Sequence, residues 1–114
     1  MASYAQRAAE RRAELVSALK RFIAVARAYP DVRAVYVFGS MGCDRIAPRS
    51  DLDLLVVRET SLRGPERGAD LAGAADLGIE FDLIVVTPDE YRDRLPTTSF
   101  GRTILETAKL AYAA

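Results

Sequence analysis

Two aspartates two positions apart, Asp51 and Asp53, stand at the head of the apolar run Leu54-Leu55-Val56-Val57. A strand places residues i and i+2 on one face, where like charges repel, so this spacing calls for something positive between them. Ten residues separate Asp51 from the pair Gly39-Ser40, a small-residue turn whose backbone N–H groups can meet an anion. Asp82, between Phe81 and Leu83 and ahead of Ile84-Val85-Val86, is another acid inside an apolar run. Alone, such an acid is usually a strand-end charge facing water; beside Asp51 and Asp53 it becomes the third member of a set. Carboxylates gathered at one end of neighbouring strands repel unless oxygen-seeking cations hold them, and Mg²⁺ is the usual choice where phosphates complete its octahedron. The chemistry suited to that arrangement is two-metal phosphoryl or nucleotidyl transfer.

The elements that must position these residues can be read from periodicity and punctuation. Residues 3 to 28 form a long helix by the recurrence of Leu15, Leu19, Phe22, Ile23 and Ala26 at spacings of three and four, and Tyr29-Pro30-Asp31 stops it. Val32 to Phe38 is apolar on both faces, the pattern of an inner strand, and it delivers Gly39-Ser40 at its end. Ser40 opens a short helix, Gly42 to Arg49 is a loop, and Ser50 to Val57 is the second strand. The polar, glycine-containing stretch from Arg58 to Gly68 reads as a mobile connection, followed by a helix from Pro65 to Leu77 that Gly78 stops. Glu80 to Val86 is the third strand. Thr87-Pro88-Asp89-Glu90 is a capping box for a helix ending near Leu95-Pro96. Thr97 or Thr98 then caps a helix to about Thr107, and Lys109 to Tyr112 forms a short edge strand. Residues 1 to 114 are thus expected to be a single domain, with no repeat, low-complexity tract or linker.

Composition removes several classes of function. Sixteen acids balance sixteen bases, so no global field draws the chain to nucleic acid or to a membrane, and any phosphate must be held locally. The lone Cys43 excludes an internal disulfide, and the absence of histidine excludes a histidine-built zinc site or a Ser-His-Asp triad. Neither a signal peptide nor a spanning segment is visible, so the cytoplasm is the expected compartment.

Gly39-Ser40, then Asp51-Leu52-Asp53, then Phe81-Asp82-Leu83 resembles the nucleotidyltransferases of the DNA polymerase β superfamily, and the short length looks like its minimal, MNT-type branch. The resemblance spans about residues 33 to 112 and includes Phe100-Gly101-Arg102 to Tyr112, which is similar to the closing helix and strand of MNT proteins. It implies an α/β (α+β) fold in which a mixed β-sheet is flanked by helices. It also implies that Gly39 and Ser40 contact the β- and γ-phosphates of a nucleoside triphosphate, ATP. Asp51 and Asp53 then hold two Mg²⁺ ions, while Asp82 shares the catalytic metal and helps deprotonate the acceptor hydroxyl. Minimal transferases often read Gly-Ser-Arg-Ala-Arg-Gly at the turn, whereas Met41, Gly42, Cys43 and Asp44 follow Ser40 here. That departure weakens the expectation of tight triphosphate binding, for which Arg45 or Arg49 could substitute. Cys43 reads as a small loop filler.

MNT proteins commonly pair with HEPN-domain RNases as antitoxin and toxin. The resemblance therefore implies an enzyme that adds AMP to a Tyr of a HEPN-domain toxin partner. Two alternatives remain open: a binding module that neutralises its partner by contact alone, and a transferase acting on a small-molecule alcohol. Tyr4, Tyr91, Phe100 and Tyr112 are more aromatic surface than so small a core need cover, which leaves some of it to a homo- or hetero-oligomeric interface or to the core edges.

Overall fold

The computed structural model describes residues 1–114 and begins with α1, Tyr4–Ala26. The Ser3 hydroxyl accepts from the Gln6 amide at 3.1 Å, and the Gln6 side chain accepts from the Ser3 amide at 2.8 Å, a reciprocal cap of the first turn. Leu15, Ala18, Phe22 and Ala26 are the buried residues of α1, one stripe at spacings of three and four.

The strands are β1 (Val32–Phe38), β2 (Leu52–Arg58), β3 (Phe81–Val86) and β4 (Lys109–Ala113). They form a four-stranded sheet in the order β3-β2-β1-β4. Only β2 and β3 run parallel; β1 is antiparallel to both of its neighbours. The sheet is therefore mixed, as expected, with β1 inside and β4 at an edge. Alternation along β2 feeds two apolar layers. Leu52, Leu54 and Val56 pack with the α1 stripe, while Leu55 and Val57 pack with Val86 and with Ile104 of α4 (Ser99–Thr107). At about 2 kcal/mol for each fully buried aliphatic side chain, these layers are what hold the site's strands in register.

Three boundaries differ from the sequence expectation. β2 begins at Leu52 rather than Ser50 and runs through Arg58, which is only 7% exposed. Arg58 stays inside because its guanidinium is fully engaged: Nε donates to Asp31 at 2.8 Å, Nη1 and Nη2 donate to the two oxygens of Asp70 at 2.7 Å, and Nη1 also reaches the Arg67 carbonyl at 2.9 Å. It also lies over the Tyr29 ring, 5.3 Å from the centroid. The segment after it is anchored at Arg67 and Asp70 instead of hanging free.

The helix expected from Pro65 to Leu77 is broken into a 3₁₀ turn, Gly64–Arg67, and the short α3, Ala69–Ala74. Gly68 divides them where the backbone presses on β3; a Cβ there would lie 2.9 Å from the side chains of Leu83 and Val85. Finally, the capping box forms, with Thr87 N–H donating to Glu90 at 2.9 Å and Glu90 N–H donating to Thr87 Oγ1 at 3.2 Å. The helix it starts then widens into a π turn, Glu90–Arg94, and tightens into a 3₁₀ turn, Leu95–Thr97. Pro96 lacks the N–H that regular helical continuation would need. Thr98 caps α4 by accepting from Gly101 N–H at 2.9 Å. No helix is long and apolar enough to cross a membrane.

Arg58→Ala is expected to lower stability by about 2 kcal/mol, through lost hydrogen bonds and packing at a buried position. Urea unfolding measures this, and a change no larger than the roughly 0.5 kcal/mol of an ordinary surface substitution would show that the network does not anchor β2.

Candidate active site

The register builds the site before any side chain is considered. Phe38 at the end of β1 pairs with Asp53 on β2, and Asp53 pairs with Asp82 on β3. The chain leaves β1 at Gly39 with φ of +65° and enters the short helix α2, Gly39–Gly42. A Cβ at Gly39 would stand 2.3 Å from Asp53 Oδ2, so the carboxylate lies over a turn that only glycine leaves open. The Gly39 N–H donates to Thr107 Oγ1 at 2.8 Å, and Gly42 abuts the Thr107 carbonyl, 2.0 Å from where its Cβ would be. The end of α4 therefore clamps both ends of the turn. Ser40 is half-buried.

Burial pushes the Asp53 carboxyl above its ordinary pKa, and the neighbouring Asp82, close enough to share a proton with it, pushes it further, with Asp51 adding to the repulsion. Asp51 is placed differently. It precedes β2, its side chain is exposed, and its Oδ1 lies 4.0 Å from Nη2 of Arg11, whose Nε donates to the Ser50 carbonyl at 2.8 Å. A cleft of about 370 Å³ opens between Asp51 and Asp82, lined also by Ile79, Glu80 and Phe81.

Of the five residues singled out in the sequence, Gly39, Ser40, Asp53 and Asp82 are thus brought together, and Asp51 stands at the rim. As the side chains are oriented, the three aspartates do not close into one three-ligand cluster. The donor chemistry nevertheless fits a hard divalent cation: the set is entirely carboxylate oxygen, and the raised proton affinity of Asp53 marks negative charge that a cation would relieve. Asp53 and Asp82, with Asp51 turned inward, are the residues that would hold it.

The departures at the turn have structural reasons. Asp44 has φ of +59°, and it is the one non-glycine residue with positive φ, at the position where minimal transferases carry glycine. Its carboxylate is ion-paired with Arg12, whose hydrogen bond holds it below the usual carboxylate range. Met41 is partly buried and packs against the main core. Cys43 is exposed, with Sγ 3.8 Å from the Ser40 carbonyl. Sequence reasoning missed Thr107, Arg11 and Arg12 as parts of the site. Thr107 lies far along the chain with no local signal, and nothing local sets the two arginines apart from the other basic residues of α1.

The family model for polymerase beta, nucleotidyltransferase, matches residues 20–90, a span that contains all five residues. The chain belongs to the polymerase beta nucleotidyltransferase family. Solved structures agree on the fold. A candidate nucleotidyltransferase from Sulfolobus solfataricus is similar with a TM-score of 0.66 at 21% identity, over 94% of this chain and 87% of that one. A toxin-antitoxin structure with AMP-PNP is similar with a TM-score of 0.55 at 22% identity, over 84% and 73%. A complex of a tri-AMPylated HEPN toxin with an MNT antitoxin from Shewanella oneidensis matches with a TM-score of 0.53 at 18% identity, over 88% and 73%. No curated protein matches the chain significantly. The mixed sheet with its flanking helices is accordingly a polymerase beta-like nucleotidyltransferase fold.

Two outcomes are expected of the metal-free protein. Because the folded pKa of Asp53 is raised above the ordinary 3.8, its ionisation removes stability as pH rises from that value through the folded pKa. Asp53→Asn should therefore raise the melting temperature in EDTA at about pH 7 and have little effect at about pH 3; an equal change at both would refute the electrostatic origin. Gly39→Ala should cost about 1–3 kcal/mol from left-handed strain and displacement of the Asp53 carboxylate, and chemical denaturation measures it.

Proposed function

We propose that this family member is a Mg²⁺-dependent enzyme that moves AMP from ATP to a protein hydroxyl, a Tyr of a HEPN-type toxin, and thereby acts as its antitoxin. The observation that carries the reading is the pairing of Asp53 with Asp82 across β2 and β3, directly over the Gly39 turn. In this reading residues 1–114 act as one minimal domain in the cytoplasm. Ser40 and the turn hold the β- and γ-phosphates, and Asp82 takes up the proton of the acceptor hydroxyl. The hydroxyl oxygen bonds to the α-phosphorus while the bond to the bridging oxygen breaks, and pyrophosphate leaves. Asp53 and Asp82, with Asp51 turned inward, would hold Mg²⁺, which would supply charge neutralisation at the leaving pyrophosphate and acidity at the attacking hydroxyl. The rest of the catalysis is positioning, which the fixed register of the strands favours.

Support for the partner comes from the fold's likeness to antitoxins solved with their toxins, one of them bearing AMP groups on the HEPN toxin. Transfer to a small-molecule alcohol finds no comparable support. The contact-only antitoxin is favoured by one feature, the placement of Asp51 beside Arg11 at the rim of the site.

The decisive experiment incubates the protein with labelled ATP, Mg²⁺ and a co-expressed HEPN-type partner and weighs the partner. Asp82→Asn should cut transfer at least about 100-fold while Mg·ATP affinity changes by no more than about threefold, and Asp53→Asn should lower both. Wild-type transfer by Asp82→Asn would remove Asp82 from the chemistry. A partner neutralised without any adduct would establish the contact-only reading.

A further inference from the structure

Helix α1 extends well beyond the core that supports it. Its first buried residue is Leu15, and Arg11 and Arg12 tie the preceding turn to Ser50 and Asp44, so the turns from Tyr4 to Glu10 project about 10 Å with none of their side chains buried. Helix turns without tertiary packing are weakly held, which makes this overhang a surface in want of a partner. Tyr4, Arg7 and Arg11 recur along one side of it at spacings of three and four, and Arg11 reaches the Ser50 carbonyl beside Asp51. The stripe therefore faces the loop that joins the Gly39 turn to the first aspartate.

Between the overhang and that loop lies a cavity of about 570 Å³, lined by Tyr4, Arg7, Ala47, Pro48 and Arg49. Its loop wall is braced: Ala47 N–H donates to Ser50 Oγ at 2.8 Å, and Ser50 N–H returns to the Ala47 carbonyl at 3.1 Å. Tyr4 is 62% exposed. Neighbouring Arg11 and Arg12 have carboxylate partners in Glu14 and Asp44, whereas Arg7 and Arg49 have none. In a chain whose net charge is zero, two uncompensated guanidiniums around a cavity with an aromatic wall form a local anion-attracting surface. Tyr4 and the first turns of α1 also precede the span matched by the nucleotidyltransferase family model.

We propose that this cavity docks an acidic segment of the protein acceptor and leads its hydroxyl along the Arg7–Arg11 stripe toward the Asp51–Asp82 cleft. The inference rests on the protein-acceptor reading above and names the recognition chemistry: carboxylates on Arg7 and Arg49, and an apolar or aromatic side chain on Tyr4 and Pro48. Docking here accounts for the exposure of Tyr4 and for the two arginines without partners. It also places the recognised segment beside the nucleotide turn rather than on it.

The test uses the full chain and random copolymers as probes. Wild-type protein should bind poly(Glu,Tyr) at least about tenfold more tightly than poly(Lys,Tyr), with affinity falling as salt rises. Arg7→Glu should lose at least about fivefold in poly(Glu,Tyr) affinity while its melting temperature and Mg·ATP affinity match wild type. Equal binding of the two copolymers, or an Arg7→Glu variant that binds like wild type, would overturn the proposal. So would a proportional loss of Mg·ATP affinity, which would give the cavity to the nucleotide, or displacement of poly(Glu,Tyr) by lower concentrations of single-stranded RNA, which would give it to nucleic acid. Binding is read without turnover, so a missing AMP adduct in the transfer assay bears on the chemistry alone and failed docking bears on this surface alone.

Discussion

The parallel pairing of β2 with β3 sets Asp53 beside Asp82, and much of the surrounding structure answers to the cost of that contact. Two carboxylates at adjacent positions of a sheet are held together only because the strands carrying them have no freedom to slip. A one-residue shift of β2 would turn Leu54 and Val56 away from the α1 layer and Leu55 and Val57 away from the α4 layer. Hydrophobic register thus imposes an electrostatic arrangement that neither acid would adopt alone. Gly39 is the third party to the contact, since any side chain there would occupy the space of the Asp53 carboxylate.

The two ends of β2 treat charge in opposite ways. At its far end Arg58 is buried and all three of its guanidinium nitrogens donate, to two carboxylates and a carbonyl, with an aromatic ring beside them. At the near end Asp53 is half-buried and opposed by two like charges. A chain that solves the harder problem at Arg58 and leaves the easier one open at Asp53 keeps its unmet electrostatics where a ligand could meet them.

That contrast also explains what the sequence made legible. The long stripe of α1, the β-branched run of β1, the capping box at Thr87 and Glu90 and the acids inside apolar strands are local signals, and each appears in the structure near its expected place. Arg58 reads as the start of a loop because a charge after four apolar residues looks like a strand end, and its partners Asp31 and Asp70 lie elsewhere in sequence. The split of the Ala-rich helix at Gly68 depends on β3 pressing against it, and the π turn after Glu90 on how the chain must reach Pro96 and α4; neither pressure has a local signature. Thr107 escaped notice for the same reason. Its hydroxyl matters only because β4 returns beside β1 and carries the end of α4 to the Gly39 amide.

The adjacent arginines of α1 show why the unusual turn does not by itself argue against a working site. Arg12 holds Asp44 at the start of the connecting loop, and Arg11 holds the Ser50 carbonyl at its end. One helix turn therefore fixes the span between the Gly39–Ser40 turn and Asp51, a task for which a basic side chain within the turn is not needed. Arg11 and Asp51 are another matter, because a separation of 4.0 Å exceeds hydrogen-bonding range and the carboxylate is exposed. Asp51 is thus restrained by screened charge alone, and rotation toward Asp53 and Asp82 forfeits no hydrogen bond once their repulsion is neutralised. The arrangement keeps two acids fixed by the sheet and one free to respond.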